Sequence, residues 1–300
     1  MIETGILNRR DLPALATLWP EVACPLTATQ VMEDVLLHGG EPRAILAIDP
    51  NGWLVARSQG QLAGFAHCTV GRLPQDDPES LRGFLRALVL APDAPPATYR
   101  LLLRAADAYF RAQKDVTQVL AFHLDTGYPR LNHGRGTVRH DDWGLMSALG
   151  DAGYQLVNRW LFYEQDFEAL MTETLPAMPD LRLRWDDWLP EHVALSVWSE
   201  SALVARARFM LFPQPEACQN QRAASLYDLH VVPDFRGWHI GRWLLARGVN
   251  HLITRGITHL FEAVAHDDVA MHARLRSLDF SESPQRGYAY EKQLTPPSLT

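Results

Sequence analysis

The sequence predicts an α/β protein of two layered domains in tandem, each with a mixed, mostly antiparallel sheet flanked by helices. The chain has 300 residues, which fits two domains at about 100–200 residues each. Hydrophobic residues make up 47% of it, enough for a core in each domain. The third observation is that one order of strand-like and helix-like segments occurs twice along the chain.

The repeated order starts with a hairpin followed by a third strand. The segments "WLVARSQGQLAGFAHCTV" from residue 53 and "VALSVWSESALVARARFML" from residue 193 each hold two β-rich runs around a turn. The next strands, "FLRALVLAPD" and "SLYDLHVVPD", both end at a proline, which cannot donate to a strand ladder. Strand, strand, strand, then helix predicts a mixed sheet with helices on its faces.

A helix comes next in both copies. Apolar residues recur at i, i+4 and i+7 in Leu102, Ala106 and Tyr109, and again in Leu245, Val249 and Leu252. Another strand, a short helix and a closing strand complete each copy. The first copy also has two predicted helices at its front, in "LPALATLWPEV" and "TATQVMEDVLLHGG".

The stretch between the copies, residues 168–180, contains two prolines and shows no clear period. It is therefore interpreted as a linker. The predicted domains are residues 1–168 and residues 181–300.

Composition excludes several classes of protein. The formal net charge of −7 argues against a nucleic-acid binder, which needs a basic face. No run approaches about 18 apolar residues, so no membrane span is expected, and the N-terminus lacks the apolar region of a signal peptide. Cys24, Cys68 and Cys218 are scattered, as in proteins of a reducing compartment. We expect a cytoplasmic protein, monomeric or homodimeric.

The segment "VVPDFRGWHIGRWLL", residues 231–245, reads as a strand end, a tight turn and a helix start. Such a turn points the first helical N–H groups at open space, and together with the helix dipole they form an anion site. Arg236 and Arg242 bracket the turn and can add charge-assisted contacts. A pyrophosphate is the expected guest.

The same segment resembles motif A of the GNAT acyltransferases, whose loop follows the pattern (Gln/Arg)-x-x-Gly-x-(Gly/Ala). Here the pattern is Arg236-Gly237-Trp238-His239-Ile240-Gly241. The flanking "LYDLHVVPDF" and "HLFEAVAHDDVAMHARLRSLDF" resemble the family's neighbouring elements, so the resemblance covers about residues 181–295. Three positions depart from the family: His239 replaces a loop glycine, Leu275 a frequent tyrosine, and Asp279 the glycine before Phe280.

The resemblance implies two tandem GNAT-like domains and acetyl-CoA as co-substrate, without a metal. It places the pantetheine arm along Leu229, His230 and Val231. It places the pyrophosphate on the amides of Gly237, Trp238, His239, Ile240, Gly241 and Arg242. A strand–turn–helix connection without a ligand remains the alternative. In the first copy, Pro95 and Pro96 remove amides that a phosphate would need, so that copy is expected to be degenerate.

Two carboxylates are candidates for catalysis. Glu262 is close to where GNAT members often have a catalytic glutamate and would accept a proton from the amine. Its alternative is a strand-end glutamate in water. Asp228 would hold a substrate ammonium or bond a backbone turn. Strand alternation puts Asp228 with His230 on one face and Tyr227 on the other, unless a bulge intervenes.

The general acid and the polar insertion of the first copy are less defined. With Leu275 at the frequent tyrosine position, Tyr227, Tyr288, Tyr290 or solvent would protonate the leaving thiolate. The insertion lacks the converging spacing of a metal site and is expected to be a polar loop or a substrate-contacting lid. Its polar residues are His133, Arg135, Arg139, His140, Asp141 and Asp142.

The sequence therefore predicts an acyl-CoA-dependent N-acyltransferase that acts on a small primary amine through its C-terminal domain. A non-catalytic acyl-CoA-binding or regulatory module is the second hypothesis. A structural fold that binds no CoA is the third.

Overall fold

A computed structural model describes most of the chain and divides it into two compact units. The first contains Met1–Trp160 and Gln285–Thr300, and the second contains Leu161–Pro284. This grouping differs from the predicted ranges 1–168 and 181–300, because the end of the chain belongs with the first unit. The described residues are 2–18, 45–47, 49–73, 76–128, 136–185, 192–211 and 223–294.

The first unit contains three helices and the strands that lie before residue 161. The helices are α1 Leu12–Leu18, α2 Ala97–Ala112 and α3 Trp143–Asp151. The strands are β1 Ile2–Ile6, β2 Ile45–Ala47, β3 Trp53–Ser58, β4 Gln61–Arg72, β5 Arg82–Leu90, β6 Gln118–Ala121, β7 Val138–Arg139 and the start of β8 Gln155–Asp166. The helix predicted in "TATQVMEDVLLHGG" lies outside the described residues.

Antiparallel pairs dominate the first unit, with β5 and β6 as a parallel pair. The last strand of the chain, β14 Ser281–Gln293, pairs with β6 through residues from Tyr290 onward. That pairing explains why the chain end belongs to this unit. Helix α2 buries Leu102, Ala106 and Phe110 against the sheet.

The second unit contains two helices and the remaining strands. The helices are α4 Ile240–Thr254 and α5 Val269–Arg276. The strands are the end of β8, β9 Leu181–Trp185, β10 His192–Ser199, β11 Ala202–Leu211, β12 Ala223–Val231, β13 His259–Ala265 and the start of β14.

Strands β9 to β12 are antiparallel neighbours, and β12 and β13 form a parallel pair. Helices α4 and α5 contribute Leu244, Leu245 and Leu275 to one core beneath the sheet. Gly248 lets α4 approach closely, since an added Cβ would lie 2.4 Å from the Phe209 ring. The mixed, mostly antiparallel sheets with flanking helices confirm the predicted fold class. Within the described residues, no helix is both long and apolar enough to cross a membrane.

Both units have a β-bulge in the strand that leads to the long helix. In β5 the register with β4 shifts at Arg86, between Leu85 and Ala87, and in β12 the register with β11 shifts at Tyr227, between Leu226 and Asp228. A bulge puts two successive side chains on one face of the strand. The two copies are therefore related in detail as well as in element order.

A buried polar cluster surrounds Arg86 in the first unit. Arg86 donates from Nε to the carbonyl of Thr126 at 2.8 Å and lies over the Tyr128 ring at 4.0 Å. His67 is fully buried, stacks on Trp53 at 3.7 Å and hydrogen-bonds the Tyr128 hydroxyl. Burial, and then the Arg86 charge, lower the pKa of His67 well below its ordinary value of 6.5.

This cluster makes the stability of the first unit depend on pH. Below about pH 6.5, His67 is protonated in the unfolded chain but stays neutral in the folded chain. The free energy of unfolding therefore falls with falling pH by up to about 1.4 kcal/mol per pH unit. Urea unfolding between about pH 7.5 and 5.5 should show a steeper loss in wild type than in His67→Gln. An NMR titration in which the folded His67 ring protonates at its ordinary pKa would contradict this assignment.

Candidate functional site

The loop between β12 and α4 holds two residues in the left-handed backbone region. A 3-10 turn, Pro233–Phe235, follows the strand, and then Gly237 has φ +88° and His239 has φ +59°. His239 is the N-cap of α4, and its side chain makes no capping hydrogen bond. Position 239 therefore does have the positive φ that favours glycine, which histidine adopts more readily than most residues.

The amides of this loop are left out of the backbone hydrogen bonding. Within the described part of the chain, no backbone hydrogen bond is donated by the amides from Gly237 to Arg242, and the first one in α4 joins Trp243 to His239. Successive free amides at a helix start form an anion site. In the first unit, by contrast, Thr98 and Tyr99 donate to the carbonyls of Pro95 and Pro96 at 2.8 and 3.2 Å.

Strand β12 has an open edge beside this loop. Its parallel pairing with β13 covers only Ala223–Ser225, so the two strands separate beyond that point and leave a gap. On its other side, the amide of Val232 donates to the carbonyl of Val204 in β11 at 2.9 Å. Alternation therefore turns the main-chain groups of Leu229 and Val231 towards the gap, where an amide-containing chain can pair with them.

A cavity of about 330 Å³ lies between this edge and helix α5. The predicted pantetheine residues line it, together with two arginines, Arg236 and Arg274. Arg236 also donates from Nε to the carbonyl of Val231 at 3.2 Å. The full lining is Leu229, His230, Val231, Arg236, Asp268, Ala270, Met271 and Arg274.

Arg274 was not predicted from the sequence. Its guanidinium lies beside the start of α4, because a Cβ built on Gly241 would be 3.7 Å from Arg274 Nη1. Helix α5 is held in this position by His272, whose Nδ1 lies 3.0 Å from the Tyr163 hydroxyl. That hydroxyl donates to Glu282 Oε2 at 3.1 Å, and burial followed by this carboxylate raises the pKa of Tyr163.

Two predicted loop side chains lie elsewhere. Arg242 lines a separate cavity of about 340 Å³ with residues 165–172 and 277–279. Trp238 is 48% exposed. Neither residue lines the cavity that Arg236 lines.

Glu262 is the first residue of β13 after Phe261, the last one paired with β12. Its side chain is buried, at 9% exposure, which differs from a strand-end glutamate in water. It shares a face of β13 with Leu260 and Val264 of the helix-side core. Glu262 therefore lies where the gap begins but is not among the residues that line the cavity.

Asp228 and Tyr227 lie on the same face of β12, because the bulge at Tyr227 breaks the alternation. This bulge is the exception that the sequence left open when alternation put the two residues on opposite faces. Asp228 Oδ2 is 2.6 Å from Nε of Arg206 and 3.9 Å from Nε of Arg208. The Tyr227 hydroxyl lies 3.2 Å from Nδ1 of His192.

The other candidate acids lie in cores. Leu275, at the frequent tyrosine position, is a fully buried residue of α5. Tyr290 is buried in the first unit and Tyr288 packs against the same cluster. Burial, and then Tyr288, raise the pKa of Tyr290. Tyr227 is the candidate acid that the structure leaves on the face of β12 next to Asp228.

The polar insertion of the first copy is described only from residue 136, so His133 and Arg135 lie outside the described residues. Arg139 pairs with Asp141 at 2.7 Å, and the Arg139 guanidinium lowers the pKa of that carboxyl. Asp142 caps α3 by accepting from the Leu145 amide at 3.0 Å. His140 accepts from the Arg286 amide at 3.3 Å. The described part of the insertion thus makes structural contacts.

The left-handed conformation of His239 yields a stability prediction. An L-residue in this region costs about 1 kcal/mol that glycine avoids, so His239→Gly should stabilise the second unit by about 0.5–1 kcal/mol in urea unfolding. Gly237→Ala should destabilise it by a similar amount, since φ is +88° there. A loss of stability in His239→Gly would show that the imidazole makes a contact the free loop needs.

The sequence model of the acetyltransferase (GNAT) family matches residues 159–280. This part of the chain is similar to the GNAT family in sequence. The match spans most of the second unit and includes β12, the loop and helices α4 and α5. No curated protein matches the chain in sequence.

Solved structures with this fold include a tandem GNAT protein from the clavulanic acid biosynthesis pathway. It is 14% identical, with 99% of this chain and 100% of that chain covered and a TM-score of 0.67. A GCN5-related N-acetyltransferase from Sphaerobacter thermophilus is 12% identical, with 98% and 96% covered and a TM-score of 0.64. At these identities the likeness shows the fold, and the predicted tandem GNAT architecture is confirmed.

A third structure is the glucosamine N-acetyltransferase region of a fungal multi-domain GH3 β-N-acetylglucosaminidase. It is 14% identical, with 97% of this chain and 38% of that chain covered and a TM-score of 0.69. It shares the fold with the present chain.

Proposed function

We propose that the second unit is an acyl-CoA-dependent N-acyltransferase that transfers an acetyl group from acetyl-CoA to a small primary amine. The observation that carries this proposal is the row of free amides from Gly237 to Arg242 beside a cavity lined by Arg236 and Arg274. Amides and guanidinium groups fit the diphosphate of CoA, while the open edge at Leu229 and Val231 fits the amides of its pantetheine arm.

The proposed reaction transfers the acetyl group from the thioester to the amine in the gap beside β12. The amine nitrogen attacks the thioester carbonyl carbon, an N–C bond forms, and the C–S bond breaks to release the thiolate. The gap-facing amides of Leu229 or Val231 can donate to the oxyanion. Glu262, the buried carboxylate where the gap begins, is proposed to accept the amine proton, directly or through a water molecule. The Tyr227 hydroxyl is the candidate donor to the leaving thiolate.

A second hypothesis is an acyl-CoA-binding module without turnover. It is favoured by the burial of Leu275 and by the two arginines that neutralise Asp228. The rate of thiol release from acetyl-CoA, measured with a panel of amines, decides between the two hypotheses. Mass spectrometry identifies the acetylated product. Amine-dependent release supports transfer, whereas binding without release by any amine supports the module.

A further inference from the structure

One face of the sheet in the second unit carries a set of arginines. Leu181 and Leu183 of β9, and Ala205 and Ala207 of β11, pack with the helix-side core. The side chains that alternate with these residues along each strand therefore point to the opposite face. These are Arg182, Arg184, Arg206 and Arg208, which we call the arginine face.

Strand register aligns this face with the gap beside β12. Ser196 pairs with Arg184 on one side and with Arg206 on the other, and Arg206 pairs with His230. Arg208 pairs with Asp228 in the adjacent row. Arg206 and Arg208 thus lie one strand, about 4.8 Å, from β12, whose other edge borders the gap. The bulge at Tyr227 puts Asp228 and Tyr227 on this same face.

The charges on this face do not balance. Among the described residues of β9 to β12, Asp228 is the one acid on it. Its carboxylate lies 2.6 Å from Nε of Arg206 and 3.9 Å from Nε of Arg208, so among the described residues of these strands two guanidinium charges share one carboxylate. The side chains of Arg206 and Arg208 are 42% and 40% exposed, so both can reach a bound molecule. Arg184 is fixed over the Trp198 ring at 4.7 Å.

We propose that Arg206 and Arg208 select acyl acceptors that carry a carboxylate in addition to the amine. A guanidinium binds a carboxylate in a bidentate manner and repels a second ammonium. Asp228, neutralised by Arg206, orients the guanidinium and does not hold a substrate ammonium. This inference rests on the proposed function and names the substrate class of the same site: amino acids or acidic amines, rather than polyamines or aminoglycosides.

The test uses straight-chain primary amines of increasing length in three matched series, which end in a carboxylate, a methyl group or a second ammonium. The measured quantity is kcat/KM for CoA release at saturating acetyl-CoA. The carboxylate series should exceed the methyl series by about tenfold or more, with the diamines slowest. In Arg206→Ala/Arg208→Ala this preference should fall to near one, while the rate with the methyl series changes by less than about threefold.

Arg255→Ala, at the far end of α4, is the matched control and should keep the preference. Asp228→Asn should keep or increase it, because it frees the Arg206 charge. Two results would overturn the selection by the arginines without affecting the proposed transfer. They are a preference for diamines in wild type, and a carboxylate preference that survives the double substitution in folded protein. No amine-dependent release in any series, with acetyl-CoA still bound, would overturn the proposed transfer and this inference with it.

Discussion

Replacing Glu262 by glutamine is expected to lower kcat for amine acetylation about 100-fold or more, the usual effect of removing a general base. The change is isosteric, so the buried site beside Phe261 keeps its packing. Because Glu262 does not line the cavity, the dissociation constant of acetyl-CoA should stay within about twofold of wild type in calorimetry. Steady-state thiol release at saturating acetyl-CoA measures the effect.

The matched control for Glu262→Gln is Glu200→Gln, at the exposed hairpin turn between β10 and β11. It should leave kcat unchanged. A Glu262→Gln enzyme that turns over within about threefold of wild type would remove Glu262 from the mechanism and assign proton removal to solvent.

Removing both guanidinium groups of the cavity, in Arg236→Ala/Arg274→Ala, should weaken acetyl-CoA binding about 100-fold. Hydrogen bonds to charged groups contribute about 1.5–3 kcal/mol each, and two of them exceed the roughly 2.7 kcal/mol that this factor requires. Calorimetry gives the dissociation constant. Removing Arg274 alone should already weaken binding, although the sequence does not mark it as a loop residue.

Arg255→Ala is again the control, since Arg255 follows the C-terminal end of α4 and the loop lies at the other end. Affinity within about threefold of wild type in the double variant would mean that neither guanidinium contacts the phosphates. The free amides alone would then account for binding.

Local features of the site were accessible from the sequence, and features set by pairing between distant strands were not. Proline and glycine positions mark the strand end and turn at residues 233–241, so the loop could be located. The bulge at Tyr227 depends on how β12 registers with β11, and no pattern within "LYDLHVV" encodes it. Consequently the sequence could not decide whether Tyr227 and Asp228 share a face of β12.

Two further features needed the folded chain. Arg274 reaches the loop only because His272 and Tyr163 fix α5 against the sheet. The local sequence also does not show which strand residues 285–293 pair with, since an alternating strand does not specify which sheet it joins. The sequence does carry one signal of the arginine face, because the alternation of Arg206 and Arg208 in "VARARF" places both arginines on one face.

The central claim is that the chain binds acyl-CoA at the loop of the second unit and not at the proline-filled turn of the first. Calorimetric titration of the full chain with acetyl-CoA tests it most directly. We predict one equivalent bound per chain, competition by free CoA, and loss of most of the affinity in Arg236→Ala/Arg274→Ala. Absence of heat and of competition, or two equivalents of which both survive the double substitution, would contradict the account.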